Sequence, residues 1–511
     1  MALLSPTTIG VPAGATDRTP EADRVPLPSK NPLRIERTAG VLFAGFAGLA
    51  ASGPISDNSV LTHIATGRLQ MSSGLPTANP FLWTSSDFPV PSWWWSWMLG
   101  AAEALGGLGA VRVLTVCVAA GLGWLLFGLN GELGRESAGG ERSGLIARVA
   151  VCGVALLLLV PFLNARPQLG GFLALALVLR LWRGHRGWWW YLALFAIWVN
   201  VHGSWLYGVG VLLVLWIAES LDEGRWARER IRCLVAAAAG VLVGGMFYPE
   251  RFRLVLLPSE QLGDSAAREA IRLFPEWRPP AAGQPWIWLF ALVCVLAIYG
   301  ATLPRPGERR RWAMVLSTCA FCVIGVTALR LLPVAVITLL GPATVGLDSL
   351  LGRPRLRAAA AAAAGPIAAV VGATALGVAV VLASFGPDLD LGRYPVEEVD
   401  WLEQRSLVAQ STVRLVHNDY VGNYLEFRYG DEANAWVDDR PSVETLIDYV
   451  ALRQTADGWV GALERADPDV VLWQTGDELP GVLAEDSNWA EVLTTEDFRV
   501  FCHEEIAKRC R

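Results

Sequence analysis

Asp57-Asn-Ser-Val-Leu-Thr-His63-Ile-Ala-Thr-Gly67-Arg68 follows the first apolar run of the chain and brings an acid, a histidine and an arginine into twelve residues. Asp57 and His63 are six apart, so on one continuous helix they would not share a face. They come together only if Asp57 lies before the helix starts. Asp is a favoured N-cap, and a helix opening near Ser59 is the plain reading of the stretch. A soluble helix cap and the mouth of a membrane bundle are both compatible with these twelve residues, and the surrounding chain decides between them.

The chain has 511 residues, 53% hydrophobic and 18% charged, with a mean hydropathy of +0.38. A soluble chain carries about 25% charged residues. The deficit is local: apolar runs of about 17 to 25 residues, long enough to cross a bilayer as helix, recur from 40 to 385. From 386 onward the composition is that of a soluble domain. The expected fold is therefore an α-helical polytopic membrane protein with a C-terminal extracytoplasmic α/β domain. Residues 1–37 read as a disordered cytoplasmic N-terminus, 38–385 as the transmembrane domain and 393–511 as the extracytoplasmic domain. The net charge of −6 argues against a nucleic-acid partner.

About eleven spans are expected, at 38–54, 111–130, 148–163, 169–183, 187–201, 204–221, 232–248, 286–303, 312–328, 331–350 and 358–385. The Trp-rich stretch 92–106 reads as an interfacial helix, since tryptophan favours the headgroup region. Alternate loops are short and rich in arginine: Arg34 and Arg37, then Arg135, Arg142 and Arg148, then Arg180, Arg183 and Arg186, then Arg225 to Arg232, Arg305 to Arg311, and Arg353 to Arg357. The positive-inside rule makes these cytoplasmic. Asp57, His63, Arg68, Arg166, Gln168, Asn200, His202, Glu250, Glu276 and Arg330 then all fall at outer ends or in outer loops. Ionisable groups at membrane depth are costly and usually mark a site.

In the tail, Val413–Val416, Tyr424–Arg428, Ala435–Asp438, Val470–Trp473 and Val500–Cys502 read as strands. Residues 442–453, 457–466 and 479–486 read as helices. Asn418-Asp419-Tyr420 and Asp438-Asp439-Arg440 each follow a strand run, where ligands of α/β sheets often bind, though turn residues or a structural salt bridge account for them equally. Cys502 and Cys510 are able to pair if the tail is outside the cytosol. The other cysteines read as small hydrophobes in apolar segments.

An acid in a long first outer loop, an interfacial helix, many spans and an outer C-terminal domain resemble the GT-C superfamily of membrane glycosyltransferases, and more narrowly a bacterial group of GT-C-like membrane proteins. The elements carrying the resemblance are Asp57…His63…Gly67, Gly74-Leu-Pro76…Pro80-Phe81…Thr84, Arg166-Pro-Gln168, Trp198-Val-Asn200-Val-His202-Gly203, Glu276-Trp277, Asn418-Asp-Tyr420…Gly422-Asn-Tyr424 and Asp438-Asp-Arg440. One departure is Ser59, which stands where many relatives have a second acid.

The resemblance implies transfer of a sugar from a polyprenyl-phosphate donor to a glycan, lipid or protein acceptor, at the outer face of a bacterial plasma membrane. It implies Asp57, with His63, as catalytic residues. Arg68, Arg166 and Arg330 are the phosphate-binding candidates, since guanidinium matches phosphate bidentately. Gln168, Asn200, His202 and Glu276 are further substrate-binding candidates, and Asn418, Asp419, Tyr424, Asp438 and Arg440 are those of the outer domain. A divalent cation, Mg or Mn, held by Asp57 and His63 is a further possibility, weakened by Ser59. His202, followed by Gly203, also reads as a histidine that fixes a turn. A lipid or glycan transporter and a non-catalytic envelope scaffold are the competing classes. An enzyme requires Asp57, His63, Arg166, His202 and Arg330 to converge, whereas a scaffold lets them scatter.

Overall fold

The computed structural model describes residues 32–137, 144–224, 226–257, 265, 268, 272, 274–303, 312–352, 358–409 and 412–510. The expected disorder of residues 1–31 and the basic positions Arg142, Arg225, Arg305, Arg309 to Arg311, Arg353, Arg355 and Arg357 lie outside the described residues. Helix α1 (Pro32–Ala50) begins inside the stretch expected to be disordered, with proline at its first position, where the missing N–H costs nothing.

The helices α2 (Asn58–Ser73), α3 (Trp93–Ser137), α4 (Leu145–Leu159), α5 (Pro167–Arg183), α6 (Trp188–Val201), α7 (Trp205–Glu223), α8 (Arg228–Gly245), α9 (Pro285–Thr302), α10 (Trp312–Thr327), α11 (Leu332–Leu350) and α12 (Ala358–Phe385) follow. Each expected apolar run contains a helix. Among the described residues, six helices are long and apolar enough to cross a membrane and three apolar ones are shorter, so length and composition account for six of the eleven expected crossings. The Trp-rich stretch and the second span are continuous in α3 but break at Gly106–Gly107, where Gly107 has φ +64. That left-handed value suits glycine and turns the chain from the tryptophan segment into the span.

Helix α11 is the centre of the bundle. It packs on α3, α4, α5, α9 and α10, and most of its residues are buried. The outward faces keep large apolar side chains exposed, among them Trp188, Ile197, Val235, Leu242, Trp288, Ile367 and Phe385. Lipid solvates such faces, and helices satisfy their own backbone there. Helix α2 is different: it is short and largely polar, and it lies against the start of α3. A Cβ on Gly67 would sit 2.1 Å from the Ser96 carbonyl oxygen, so only glycine allows that approach.

After α12 the chain returns to the segment before Asp57. Ile55 pairs with Leu389, and Tyr394 Oη donates to the Ser56 carbonyl at 3.4 Å. Buried Arg112 holds this corner by donating to the carbonyls of Ser52, Gly53, Leu382 and Gly386.

The C-terminal domain contains α13 (Val396–Gln404), β1 (Leu415–His417), α14 (Asp419–Tyr429), α15 (Val443–Gln454), α16 (Trp459–Ala466), β2 (Val470–Gln474), α17 (Leu479–Glu485), β3 (Trp489–Thr494) and β4 (Phe498–His503). The sheet order is β1-β2-β4-β3, with β1 and β2 parallel and the other pairs antiparallel. Alternate residues serve two cores, as strand geometry requires. Leu415, Leu472, Val500 and Cys502 join the core that continues into the helical bundle. Val416, Val471, Trp473 and Phe501 face a second core with Leu446 and Tyr449 of α15. Cys502 is bonded to Cys510.

Two strand expectations are corrected. Tyr424–Arg428 belongs to α14, which buries Val421, Tyr424 and Leu425. That is helical spacing, and Asn418 and Asp419 at its start suit a helix N-terminus. Ala435–Asp438 is not a sheet strand. Ala435 instead exchanges hydrogen bonds with the first loop, accepting from Trp83 N at 3.1 Å and donating to the Phe81 carbonyl at 2.8 Å. Strand β3 was not foreseen; its residues are partly exposed and carry no clean apolar alternation.

Candidate active site

The site forms where four chain segments meet at the end of the bundle covered by the C-terminal domain. Asp57 is the N-cap of α2, and its Oδ1 accepts from Ser59 N at 3.0 Å. The cap and the site readings are therefore both satisfied by one residue. The cap fixes the carboxylate, and its remaining edge faces neighbours from elsewhere. Asn164 Nδ2 donates to Oδ2 at 3.3 Å, and Arg166 Nε lies 3.6 Å from Oδ1.

Arg166 stands immediately before Pro167, which opens α5. Its backbone N–H donates to Asn164 Oδ1 at 3.2 Å, so one asparagine both shapes the turn and supports Asp57. Arg166 Nη1 contacts Glu276 Oε2 at 3.3 Å, and Arg330 Nη1 contacts Glu276 Oε1 at 3.3 Å. Glu276 lies in the one-turn helix Pro275–Trp277, and Arg330 in the one-turn helix Leu329–Leu331 that leads into α11. The two turns are tied by Leu329 N donating to the Arg278 carbonyl at 2.9 Å. The Arg330 guanidinium also lies 4.6 Å from the Trp277 ring centroid, a favourable cation–π distance. Asp57, Arg166, Glu276 and Arg330 thus make one continuous chain of charge. Their side chains keep between 20% and 31% of their surface exposed, so a ligand can reach them.

The C-terminal domain adds Asp439. Its backbone N–H donates to Asn423 Oδ1 at 3.1 Å, and its charge acts on Asp57, His63 and Arg166. Its Oδ1 is buried without a hydrogen bond among the described residues. The adjacent Arg440 anchors this segment. It donates to Asp438 at 2.9 Å, to Glu426 at 3.0 Å and to Thr66 Oγ1 of α2 at 3.1 Å, and lies 4.9 Å from the Phe88 ring centroid. Burial raises Glu426 well above the usual carboxylate range against the pull of Arg440, with Asp438 adding to the rise. Gly422 lets α14 come close, since a Cβ there would sit 1.8 Å from the Val437 carbonyl oxygen.

Burial raises the Asp57 carboxyl above its ordinary value, outweighing Arg166, and Asp439 adds to the rise. Arg166 is held more firmly charged: Asp57, Glu276 and Asp439 together outweigh its own desolvation. With Arg393, which also acts on Asp57, three arginines face three acids, so the cluster is close to neutral. Asn164, Asp439 and Arg393 were not among the candidates from sequence. Asp439 had a signal in the Asp-Asp-Arg run. Arg393 lies in a linker with no motif, and Asn164 acts through a turn.

The other candidates hold structural positions. His63 Nδ1 is 2.8 Å from Ser96 Oγ in the α2–α3 contact, and burial lowers its pKa to about 3. It stays neutral and is a weak base. His202 Nδ1 accepts from Ser204 N at 3.1 Å, the turn-fixing role, and burial with Arg330 and Arg166 nearby holds it neutral. Asn200 is buried and binds Trp93 Nε1, the Ala196 carbonyl and the Gly244 carbonyl, so it ties helices together. Gln168 is buried, and its amide N–H makes no hydrogen bond among the described residues. Arg68 pairs with Glu103 at 2.5 Å and donates to the Phe427 carbonyl; it clamps α14 to the helices and stands outside the charge chain. Asn418 binds Asp477 and Gln474 N, Asp419 accepts from Tyr449 Oη, and Tyr424 Oη accepts from Arg428. These three organise the C-terminal domain. Among the described residues, no three His, Cys, Asp or Glu side chains are spaced to share a metal ion.

No protein-family profile and no curated protein matches the chain. Solved structures do. The oligosaccharyltransferase of Archaeoglobus fulgidus, tethered to an acceptor peptide, superposes with a TM-score of 0.50 at 10% identity, over 86% of this chain and 69% of its own. This chain has the GT-C fold. ArnT of Cupriavidus metallidurans, bound to undecaprenyl phosphate, matches at a TM-score of 0.43 and 14% identity, over 93% of this chain and 98% of its own. A polytopic helical bundle here carries a small C-terminal sheet.

Proposed function

We propose that this GT-C protein is a glycosyltransferase. It moves a sugar from a polyprenyl-phosphate-linked donor to a hydroxyl of an envelope glycan, lipid or protein, on the outer face of a bacterial plasma membrane. The observation that carries the reading is the reachable Asp57 carboxylate, fixed by its helix cap and continuous with Arg166, Glu276 and Arg330. The fold shared with an oligosaccharyltransferase is consistent with it.

In this reading the acceptor O–H gives its proton to Asp57 as the acceptor oxygen bonds to the sugar C1. The C1–O bond to phosphate breaks, and its electron pair stays on the departing polyprenyl phosphate. Arg166 and Arg330 neutralise that charge. A carboxyl with a raised pKa is a better proton acceptor near neutral pH than an ordinary aspartate. Charged donors fixed before the reaction stabilise the leaving group without reorganisation. No step is routed through a metal.

The test is transfer of labelled sugar from a panel of polyprenyl-phosphate donors, in membranes containing the wild-type protein or Asp57→Asn. Asn is as good an N-cap as Asp, so the variant keeps its fold. Loss of about 10²–10⁴-fold in rate is expected for removal of a general base. Equal transfer by both proteins removes Asp57 from the chemistry. No transfer from any donor removes the reading.

A further inference from the structure

A second cleft lies where the first loop meets the C-terminal domain, on the other part of the segment that carries Asp439. It has a volume of about 560 Å³ and is lined by Trp83, Thr84, Trp436, Thr445, Asp448 and Arg465, among others. This volume falls in the range of small-molecule sites, about 300–1,000 Å³. The charge chain does not use any of these residues.

The lining is of a particular kind. The partly exposed Trp83 indole offers an apolar face, and buried Trp436 backs the wall behind it. Thr84 offers a hydroxyl oxygen, Asp448 and Glu444 offer carboxylates, and Arg465 is paired with Asp448 at 2.5 Å; Thr445 is buried, with its hydroxyl bonded to Ser442. The walls are held from behind. Trp83 N donates to the Ala435 carbonyl at 3.1 Å, and Thr84 Oγ1 donates to the Trp436 carbonyl at 2.6 Å. Trp436 is edge-on to Tyr449 at 6.3 Å between ring centroids. Inside this rigid frame one donor is unused: the Trp83 indole N–H is buried and has no acceptor among the described residues. An unpaired buried donor costs about 1–3 kcal/mol, so the Trp83 ring is held there by its packing and not by a polar partner.

The geometry points to a binding site for a neutral pyranose of an acceptor glycan. One face of a pyranose presents C–H groups that stack on an indole. Its rim presents hydroxyls that donate to acceptors such as the Asp448 and Glu444 carboxylates and the Thr84 oxygen here. The ion pair of Asp448 and Arg465 leaves no free cation to select an acidic sugar. Trp436 and Asp439 are three residues apart on one segment, at most about 11 Å of extended chain. A glycan held in the cleft therefore has its next residues near the acid cluster. The acceptor role rests on the glycosyltransferase reading, whereas the binding itself does not.

The test uses the full chain in detergent. Binding of neutral gluco-, manno-, galacto- and arabino-tetrasaccharides is measured by saturation-transfer NMR and calorimetry, with no donor present. At least one is expected to bind, with Trp83→Ala weakening it at least tenfold and Trp83→Phe, which keeps a smaller aromatic face, giving an intermediate loss. Asp448→Asn, on the surface, is a second variant that is independent of loop packing and is expected to weaken the same glycan at least threefold. No binding of any of the four, or binding unchanged in both Trp83→Ala and Asp448→Asn, overturns the site. Binding that is present while transfer fails with every donor leaves the cleft standing and removes only its acceptor role.

Discussion

Glu276 lies between Arg166 and Arg330, so replacing it tests the proposal that these two arginines hold the donor phosphate. Its two oxygens each meet one guanidinium at 3.3 Å. These contacts are longer than the usual charge-assisted bond of about 2.7–2.9 Å. The partners are partly exposed, and such pairs are worth about 0.2–1 kcal/mol each. A donor phosphate that takes both guanidiniums must displace about 0.4–2 kcal/mol of existing interaction. Glu276→Gln keeps the shape and removes the charge, so binding of a polyprenyl phosphate should tighten by about 2–30-fold. Arg330→Gln should act the other way, since a hydrogen bond to a charged group is worth about 1.5–3 kcal/mol, or about 10–150-fold in affinity. The assay is competition by free polyprenyl phosphate against a labelled lipid in purified protein, which reads binding without chemistry. Product release should slow in Glu276→Gln, so kcat falls while the donor KM also falls. Weaker or unchanged lipid binding in Glu276→Gln would refute the idea that this carboxylate holds the phosphate place. A structural role for Glu276 predicts that outcome, together with a lower melting temperature.

In the proposed mechanism Asp57 accepts a proton only when ionised, and its pKa is raised by burial, so the acid limb of kcat/KM should lie above the ordinary carboxylate value of 3.8. A carboxyl whose folded pKa exceeds its unfolded value stabilises fully below the unfolded value and loses that contribution as pH rises through the folded one. The melting temperature of Asp57→Asn relative to wild type should therefore improve from pH 4 to pH 8, and a gap that is flat or closes would contradict the raised pKa. The Arg440 anchor gives a contrast of the same kind. Burial pushes Glu426 toward its neutral form against the pull of Arg440, so Glu426→Gln should cost less stability than loss of the arginine. Arg440→Leu leaves Asp438 and Glu426 buried without a cation and should cost about 3–5 kcal/mol, read as release of the C-terminal domain in limited proteolysis. Equal effects of the two substitutions would show that the pair is not held by that arginine.

Most of the membrane architecture is legible in the sequence because a bilayer imposes a length and a polarity on each helix. Arg166 and Arg330 are legible for the same reason, as charges at the ends of apolar runs, whereas Glu276 lies in an outer loop and is marked only by the Glu276-Trp277 element of the resemblance. The errors fall where that constraint ends. Tyr424–Arg428 alternates like a strand but folds as helix, because the burial of Val421, Tyr424 and Leu425 at helical spacing outweighs a five-residue pattern. Arg68 has the residue type of a phosphate ligand, but Glu103 and the Phe427 carbonyl engage it. Those partners are 35 and 359 residues away, and nothing local announces them. Asn200 and His202 are polar at a span end, as a site residue would be, and are instead satisfied by backbone carbonyls and a turn.

The positions of Asp57 and Asp439 explain why the bundle and the C-terminal domain must be read together. The loop before α2 is fixed from behind by the linker, through Ile55 to Leu389 and Tyr394 to Ser56. The segment 435–440 is fixed by the first loop and by Arg440 on Thr66. Each acid is thus positioned by contacts that cross between bundle and domain. Weakening those contacts moves both carboxylates relative to Arg166, which is anchored separately at the start of α5. A displacement of about 1 Å in such a site is enough to cost about 10²-fold in rate. It follows that substitutions at Arg440 or Thr66, far from any reacting atom, should lower kcat as well as stability. Substitutions in the second core around Leu446 and Tyr449, which lies on the opposite sheet face, should lower stability first.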